Sequence, residues 1–193
     1  MRFINTEFIK SASKKAEFIA DDLPQFAIVG RSNVGKSSLI NLLTNNSKMA
    51  KTSSMPGRTR LVNYFCVNKQ FYLVDLPGYG FAKASKSTTS AWDAVMNDYF
   101  TSNPNLKVVL VLVDAKVGAT ALDLQMLDYL AENEIPAIIV LTKCDKINRS
   151  DLNLRIDKIN KELRFAKERI VPTTATKKQG TERIAELLED YLN

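Results

Sequence analysis

Residues 30 to 38 read Gly30-Arg31-Ser32-Asn33-Val34-Gly35-Lys36-Ser37-Ser38, and their types and spacing suit one task, holding a chain of phosphates. The glycines let the backbone curl so that successive N–H groups point inward. Lys36 supplies a point charge for the β- and γ-phosphates, and the Ser37 hydroxyl is placed to ligate Mg²⁺. The apolar run Phe26-Ala27-Ile28-Val29 ahead of the loop reads as a buried strand, and Ser38-Leu39-Ile40-Asn41-Leu42-Leu43 behind it reads as helix. The loop therefore opens a helix N-terminus, where the dipole favours anions.

Three further segments follow apolar runs and fit the same ligand. Phe71-Tyr72-Leu73-Val74 ends in Asp75-Leu76-Pro77-Gly78. Asp75 at a strand's C-terminal end can hold Mg²⁺ through water, and the Gly78 N–H can approach a γ-phosphate; the plain alternative is a Pro-Gly turn. Thr142-Lys143-Cys144-Asp145 selects the base. Guanine offers two adjacent donors that one carboxylate accepts in parallel, whereas adenine offers an acceptor that Asp145 would repel. The Lys143 stem can cover the base face. Thr174-Ala175-Thr176 is small enough for the Ala175 N–H to reach the guanine O6. Within Pro56-Gly57-Arg58-Thr59-Arg60, Thr59 can complete the Mg²⁺ shell with its hydroxyl and meet the γ-phosphate with its N–H.

The elements that must position these residues alternate. Expected strands are 26–29, 61–67, 70–74, 107–113, 135–141 and 170–172; expected helices are 36–44, 87–101, 119–132, 150–168 and 181–192. Continuous apolar runs such as Ile138-Ile139-Val140-Leu141 mark strands buried on both faces. The reading is an α/β three-layer fold of the P-loop NTPase kind. Its six-stranded sheet is mostly parallel with one antiparallel strand, and helices cover both faces. Only Asn68-Lys69 joins two strands, which forces a hairpin there. Residues 1–24 read as an N-terminal extension packed on a nucleotide-binding domain of residues 25–193. Segments 45–60 and 77–86 fit no regular element, and loops of that length are often functional.

Composition narrows the class. The chain has 193 residues, 45% hydrophobic and 25% charged, which suits one ordinary domain. It has no His, so His-based catalysis and His-ligated metals are excluded. Cys66 and Cys144 show no metal spacing; Cys66 is expected as a buried free thiol in a reducing, cytoplasmic setting. The N-terminus lacks a signal-peptide core, and Val108–Val113 is too short to cross a bilayer. The net charge of +6, from 27 Lys+Arg against 21 Asp+Glu, is compatible with a polyanionic partner.

With these residues the chain resembles the translation-factor-like class of small GTPases, and within it the EngB (YihA/YsxC) family of bacterial ribosome-assembly GTPases. Segments 30–41, 56–59, 75–80, 142–145 and Lys-Lys-Gln-Gly at 177–180 carry the likeness, which spans nearly the whole chain. It departs at Phe81, Arg60 and Thr174, where Tyr, Gln and Ser are expected. The resemblance implies GTP/GDP as ligand, Mg²⁺-dependent hydrolysis, and a partner in the large ribosomal subunit or its rRNA, with support of cell division and septation. No DNA partner and no membrane insertion are expected, and the chain is expected to be a monomer.

Related GTPases often carry a water-orienting Gln after the Asp-x-x-Gly glycine. Here that position is Tyr79, so slow turnover is expected. The resemblance also makes Asn33 a candidate for holding K⁺ beside the phosphates; the alternative is an Asn that tolerates a tight turn. Arg58 is a second source of positive charge. Catalytic roles thus fall on Lys36, Thr59, Gly78 and Asn33, and metal ligation on Ser37, Thr59 and Asp75. Arg155, Lys158, Lys161, Arg164 and Lys167 recur along one expected helix, opposite Leu152, Ile156, Ile159 and Leu163, and form either an RNA-facing or a solvated face. Lys83 and Lys86, with Tyr79 and Phe81, form a second such patch. Two other readings stay open: a P-loop enzyme of another class, such as an ATP-dependent kinase, and a nucleotide-gated binding protein with negligible hydrolysis.

Overall fold

A computed structural model describes residues 3–50, 61–80, 94–163 and 165–192. In chain order these form β1 (Thr6–Ala12), β2 (Gln25–Gly30), α1 (Lys36–Leu43), β3 (Val62–Val67), β4 (Phe71–Asp75), α2 (Ala94–Ser102), β5 (Leu106–Asp114), α3 (Ala121–Glu132), β6 (Ala137–Thr142), α4 (Arg149–Leu163), β7 (Ile170–Pro172) and α5 (Thr181–Glu189). The sheet order is β1-β3-β4-β2-β5-β6-β7. β2 pairs in parallel with β4 and β5, and β5-β6-β7 continue in parallel. β3 is antiparallel to both β4 and β1, so it alone runs against the rest.

The expected α/β class holds, with seven strands where six were expected. The additional strand is β1, Thr6-Glu7-Phe8-Ile9-Lys10-Ser11-Ala12. It lies on the sheet's edge and leaves Phe8 and Ile9 exposed. Its register shifts between Phe8 and Lys10, a bulge that breaks strict alternation and blunts the edge against further pairing. The Asn68-Lys69 hairpin forms as expected. Both residues have positive φ, 52° and 57°, and the Gln70 N–H closes the turn on the Val67 carbonyl at 2.9 Å. That geometry matches the right-handed twist of the flanking strands.

Alternate residues of β2 and β5 face two cores. Phe26, Ile28, Leu110 and Leu112 pack with Leu39 and Ile40 of α1 and Ile184 and Leu188 of α5. Ala27, Val29, Val109 and Val111 pack with Met96 and Tyr99 of α2, Met126 and Leu130 of α3 and Ile159 of α4. Both faces are thus covered, which is why the central strands read as unbroken apolar runs.

Some boundaries move. α4 stops at Leu163 rather than 168, and the Asn160 side-chain amide donates to the Phe165 carbonyl at 2.9 Å just past its end. α5 stops at Glu189, before the expected 192. β6 begins at Ala137, after Glu134 with φ 55° and Pro136, and reaches Thr142. Cys66 is half-buried rather than buried. Expected helix residues 87–93, loop residues 51–60 and the Lys83/Lys86 patch lie outside the described residues.

Candidate functional site

The phosphate loop leaves β2 at Gly30 and enters α1 at Lys36. A Cβ on Gly30 would stand 2.8 Å from Val34 Cγ1 and 3.0 Å from Leu112 Cβ, so only glycine fits between loop and sheet. Gly35 caps α1 with φ 111°, a conformation that side chains strain against. The Leu39 N–H makes a helical bond to the Gly35 carbonyl, so the N–H groups of Lys36, Ser37 and Ser38 are the free first-turn donors expected of a helix start. The Ser32 and Val34 N–H groups are used within the protein, on the Tyr79 and Arg31 carbonyls.

The other segments converge on this loop because parallel strands end together. Leu76 donates to the Ile28 carbonyl at 3.1 Å and Tyr79 to the Gly30 carbonyl at 3.2 Å, which lays Leu76, Pro77 and Gly78 alongside the loop. The Lys36 ammonium meets Asp75 Oδ1 in an ion pair, and Asn63 Nδ2 donates to Asp75 Oδ2 at 3.3 Å. The Asp75 carboxylate thus faces a positive charge, that of the Lys36 ammonium, and Ser37, the next residue of α1, is half-buried. Hard oxygen donors of this kind suit Mg²⁺, so Asp75 and Ser37 fit the expected metal. Gly57, Arg58 and Thr59 lie outside the described residues.

β6 delivers the base-reading segment. The Thr142 hydroxyl donates to the Val34 carbonyl at 2.6 Å and so ties the strand end to the phosphate loop. Lys143, with φ 57°, sends its ammonium to the Asn33 carbonyl at 2.9 Å and to Asp114 Oδ2 at 2.7 Å. Burial alone would raise the Asp114 carboxyl. The Lys143 ammonium and the Val117 and Lys116 N–H groups outweigh it and hold the group below its usual range. Burial pushes the Cys144 thiol up, and the Cys144 N–H donates to the Thr173 carbonyl at 3.2 Å. That bond joins the segment to Thr174, Ala175 and Thr176. Thr174 pairs with Gln179 through two backbone bonds and accepts the Lys177 N–H, so Ala175 and Thr176 form an exposed turn. Lys146, 3.1 Å from Asp145, holds the Asp145 carboxyl below the usual carboxylate range. An ionised Asp145 is the form that accepts two N–H donors.

Tyr79 turns inward. It is 2% exposed and donates its hydroxyl to Asp123 Oδ1 at 2.8 Å. Burial and then the Asp123 carboxylate push that hydroxyl far above its ordinary range. Asp123, fully buried at the start of α3, also accepts the Thr120 N–H and hydroxyl at 2.8 and 2.7 Å. Arg31 Nε stands 3.3 Å from the same oxygen, Oδ2, as an ion-pair partner. A buried carboxylate thus joins the phosphate loop, the segment after Gly78 and α3.

Asp114, Asp123 and Asn63 escaped the sequence reading. Asp114 carried a usable signal, an Asp ending an apolar strand as Asp75 does. On α4, Ile159 is buried and Leu152 and Ile156 pack on the core as expected. The basic face is less open than its sequence: Arg155 donates to the Lys116 carbonyl, and Lys167 pairs with Asp157 at 2.6 Å.

A family model described as a 50S ribosome-binding GTPase matches residues 25–143. The probable GTP-binding protein EngB of Pelotomaculum thermopropionicum is 45% identical over 97% of this chain and 96% of its own length. The protein of the same name from Lactobacillus gasseri is 40% identical over 100% of both chains. A crystal structure of a probable GTP-binding protein EngB superposes with a TM-score of 0.70 over 87% of this chain and 98% of that one; at 24% identity it speaks to the fold alone. A crystal structure of Era with MgGDPNP and a stretch of 16S ribosomal RNA gives a TM-score of 0.67 at 26% identity, over 88% of this chain and 57% of that one.

Proposed function

The chain belongs to the EngB family of GTP-binding proteins and is a P-loop GTPase, and from that premise we propose that it acts in the cytoplasm as a GTP-driven, Mg²⁺-dependent switch in assembly of the large ribosomal subunit, and so supports cell division. The observation that carries the reading is the convergence of the 30–38 loop, Asp75–Gly78 and Thr142–Asp145 at one end of the sheet, cross-tied by Thr142 to Val34 and Lys143 to Asn33.

In the reaction, water attacks the γ-phosphate in line with the departing GDP. Lys36 leaves Asp75 for the phosphates, and with the first N–H groups of α1 it stabilises the charge that develops there. Asp75, Ser37 and Thr59 would hold Mg²⁺, which when bound would supply charge neutralisation to the phosphates. Asp145 accepts the two guanine donors, the Lys143 stem lies along the base, and the Ala175 N–H meets O6. Tyr79 cannot orient the attacking water, because its hydroxyl is committed to Asp123 inside the core. Intrinsic turnover is therefore slow. Asn33 is exposed at the loop's turn with φ 63°, and we assign its side-chain oxygen to K⁺ beside the phosphates.

The ribosomal part is supported by the family description, by the net charge of +6 and by the basic residues of α4. Tyr79's burial also favours a second reading, a nucleotide-gated ribosome-binding protein with negligible hydrolysis. Co-sedimentation with large subunits under GTP, GDP and a non-hydrolysable analogue tests the switch; binding that ignores the nucleotide overturns it. Phosphate release that rises with added subunits selects the first reading over the second.

A further inference from the structure

We infer that Asn63 is a positioning residue for the cation site: its amide fixes the Asp75 carboxylate, and Ser11 of the N-terminal strand fixes the amide. The inference rests on the reading of Asp75 as the Mg²⁺ carboxylate.

Three neighbouring strands bring the groups to one level. Ser11 on β1 lies opposite Asn63 on β3, and Asn63 lies opposite Asp75 on β4. The Ser11 hydroxyl donates to Asn63 Oδ1 at 2.7 Å, and Asn63 Nδ2 donates to Asp75 Oδ2 at 3.3 Å. The amide has one sensible orientation. An ionised carboxylate only accepts, so the amide NH₂ must face Asp75 and the carbonyl must face Ser11. The two Asp75 oxygens are then divided. Oδ2 is held from the β3 side, and Oδ1 takes the Lys36 ammonium on the phosphate-loop side.

That division matters for a metal ion. A carboxylate that rotates freely must be ordered when the ion binds. One already held by an outer partner presents its other oxygen in place once Lys36 turns to the phosphates, and loss of such partners typically weakens metal binding about 10- to 100-fold. The edge strand thereby takes part in the cation site although it lies two strands from Asp75.

The test is release of a fluorescently labelled GDP from the full chain while Mg²⁺ is titrated, with thermal melting as a control on folding. In the native protein Mg²⁺ slows release. Asn63→Ala should raise the Mg²⁺ concentration for half the effect about tenfold, with Mg²⁺-free release unchanged. Ser11→Ala, at an exposed strand position, should raise it about twofold, the share of one solvent-accessible hydrogen bond. An unchanged half-effect concentration in a folded Asn63→Ala protein overturns the inference while the Mg²⁺ reading stands. Should Asn63→Ala fail to fold, an unchanged value in Ser11→Ala overturns it instead. A native protein indifferent to Mg²⁺ overturns both.

Discussion

Replacing Asp123 by Asn should loosen the segment that follows Gly78. The carboxylate is fully buried and receives the Tyr79 hydroxyl at 2.8 Å, the Thr120 N–H at 2.8 Å and the Thr120 hydroxyl at 2.7 Å, and it forms an ion pair with Arg31, whose Nε stands 3.3 Å away without a hydrogen bond. An Asn there keeps the shape but loses the charge, and its NH₂ must face one of these donors. The best orientation turns the NH₂ to the Tyr79 oxygen and keeps the carbonyl on Thr120, which leaves the Arg31 guanidinium uncompensated. Breaking a buried ion pair costs about 3–5 kcal/mol, and a quarter-exposed arginine recovers part of that in water, so about 2–3 kcal/mol is expected. For a chain of this size that is a fall in Tm of roughly 4–12 °C. Tyr79→Phe removes one hydrogen bond to the charge and should cost about 1.5–2 kcal/mol. The two changes act on one group, so urea unfolding of both single variants and the double should show a coupling of at least about 1 kcal/mol. Hydrolysis by Tyr79→Phe should stay within about twofold of native, since 1.36 kcal/mol would be tenfold and the hydroxyl makes no contact with the reacting water. Additive losses, or a drop in turnover beyond about tenfold in Tyr79→Phe, would refute the reasoning.

Other outcomes follow from the same contacts. Burial lifts the Tyr64 hydroxyl from 10.0 to about 12 and raises those of Tyr79 and Tyr99 as well. Above pH 10 the unfolded chain loses these protons and the folded chain keeps them. Stability that is full below pH 10 should then fall by about 1.4 kcal/mol per pH unit for each such tyrosine, read by urea titration from pH 9 to 12. Thr142→Val keeps the shape but orphans the Val34 carbonyl, which now accepts the Thr142 hydroxyl at 2.6 Å, and should weaken GDP binding about tenfold by calorimetry. If Asn33 holds K⁺, phosphate release is faster in KCl than in NaCl, and Asn33→Ala abolishes the difference; equal native rates remove the ion from the mechanism.

The parallel centre of the fold was legible because Phe26–Val29, Val108–Val113 and Ile138–Leu141 are buried on both faces and carry no polar alternation. The phosphate loop and its companion segments were legible because each follows such a strand directly. β1 was not. Its residues alternate imperfectly around a bulge at Ile9, and Phe8 stays half in water against Phe65, so no local pattern marks it. Asn63 and Asp123 gain their roles only from what tertiary pairing sets opposite them, Asp75 in one case and Tyr79 with Arg31 in the other. Nothing within a few residues of either position announces those partners. Tyr79 was legible by its type as unable to place water; where its hydroxyl goes instead required the packing of α3 against the loop.

The central claim is that the Asp145 carboxylate selects guanine. Equilibrium binding of GTP, ATP and XTP to the native and Asp145→Asn proteins tests it most directly. Xanthine carries an acceptor where guanine carries its amino group, and an Asn amide can donate to it. The native protein should prefer GTP over XTP by roughly 10⁴-fold, and Asp145→Asn should lose GTP and gain XTP. An Asp145→Asn protein that keeps native GTP affinity and still rejects XTP would contradict the account.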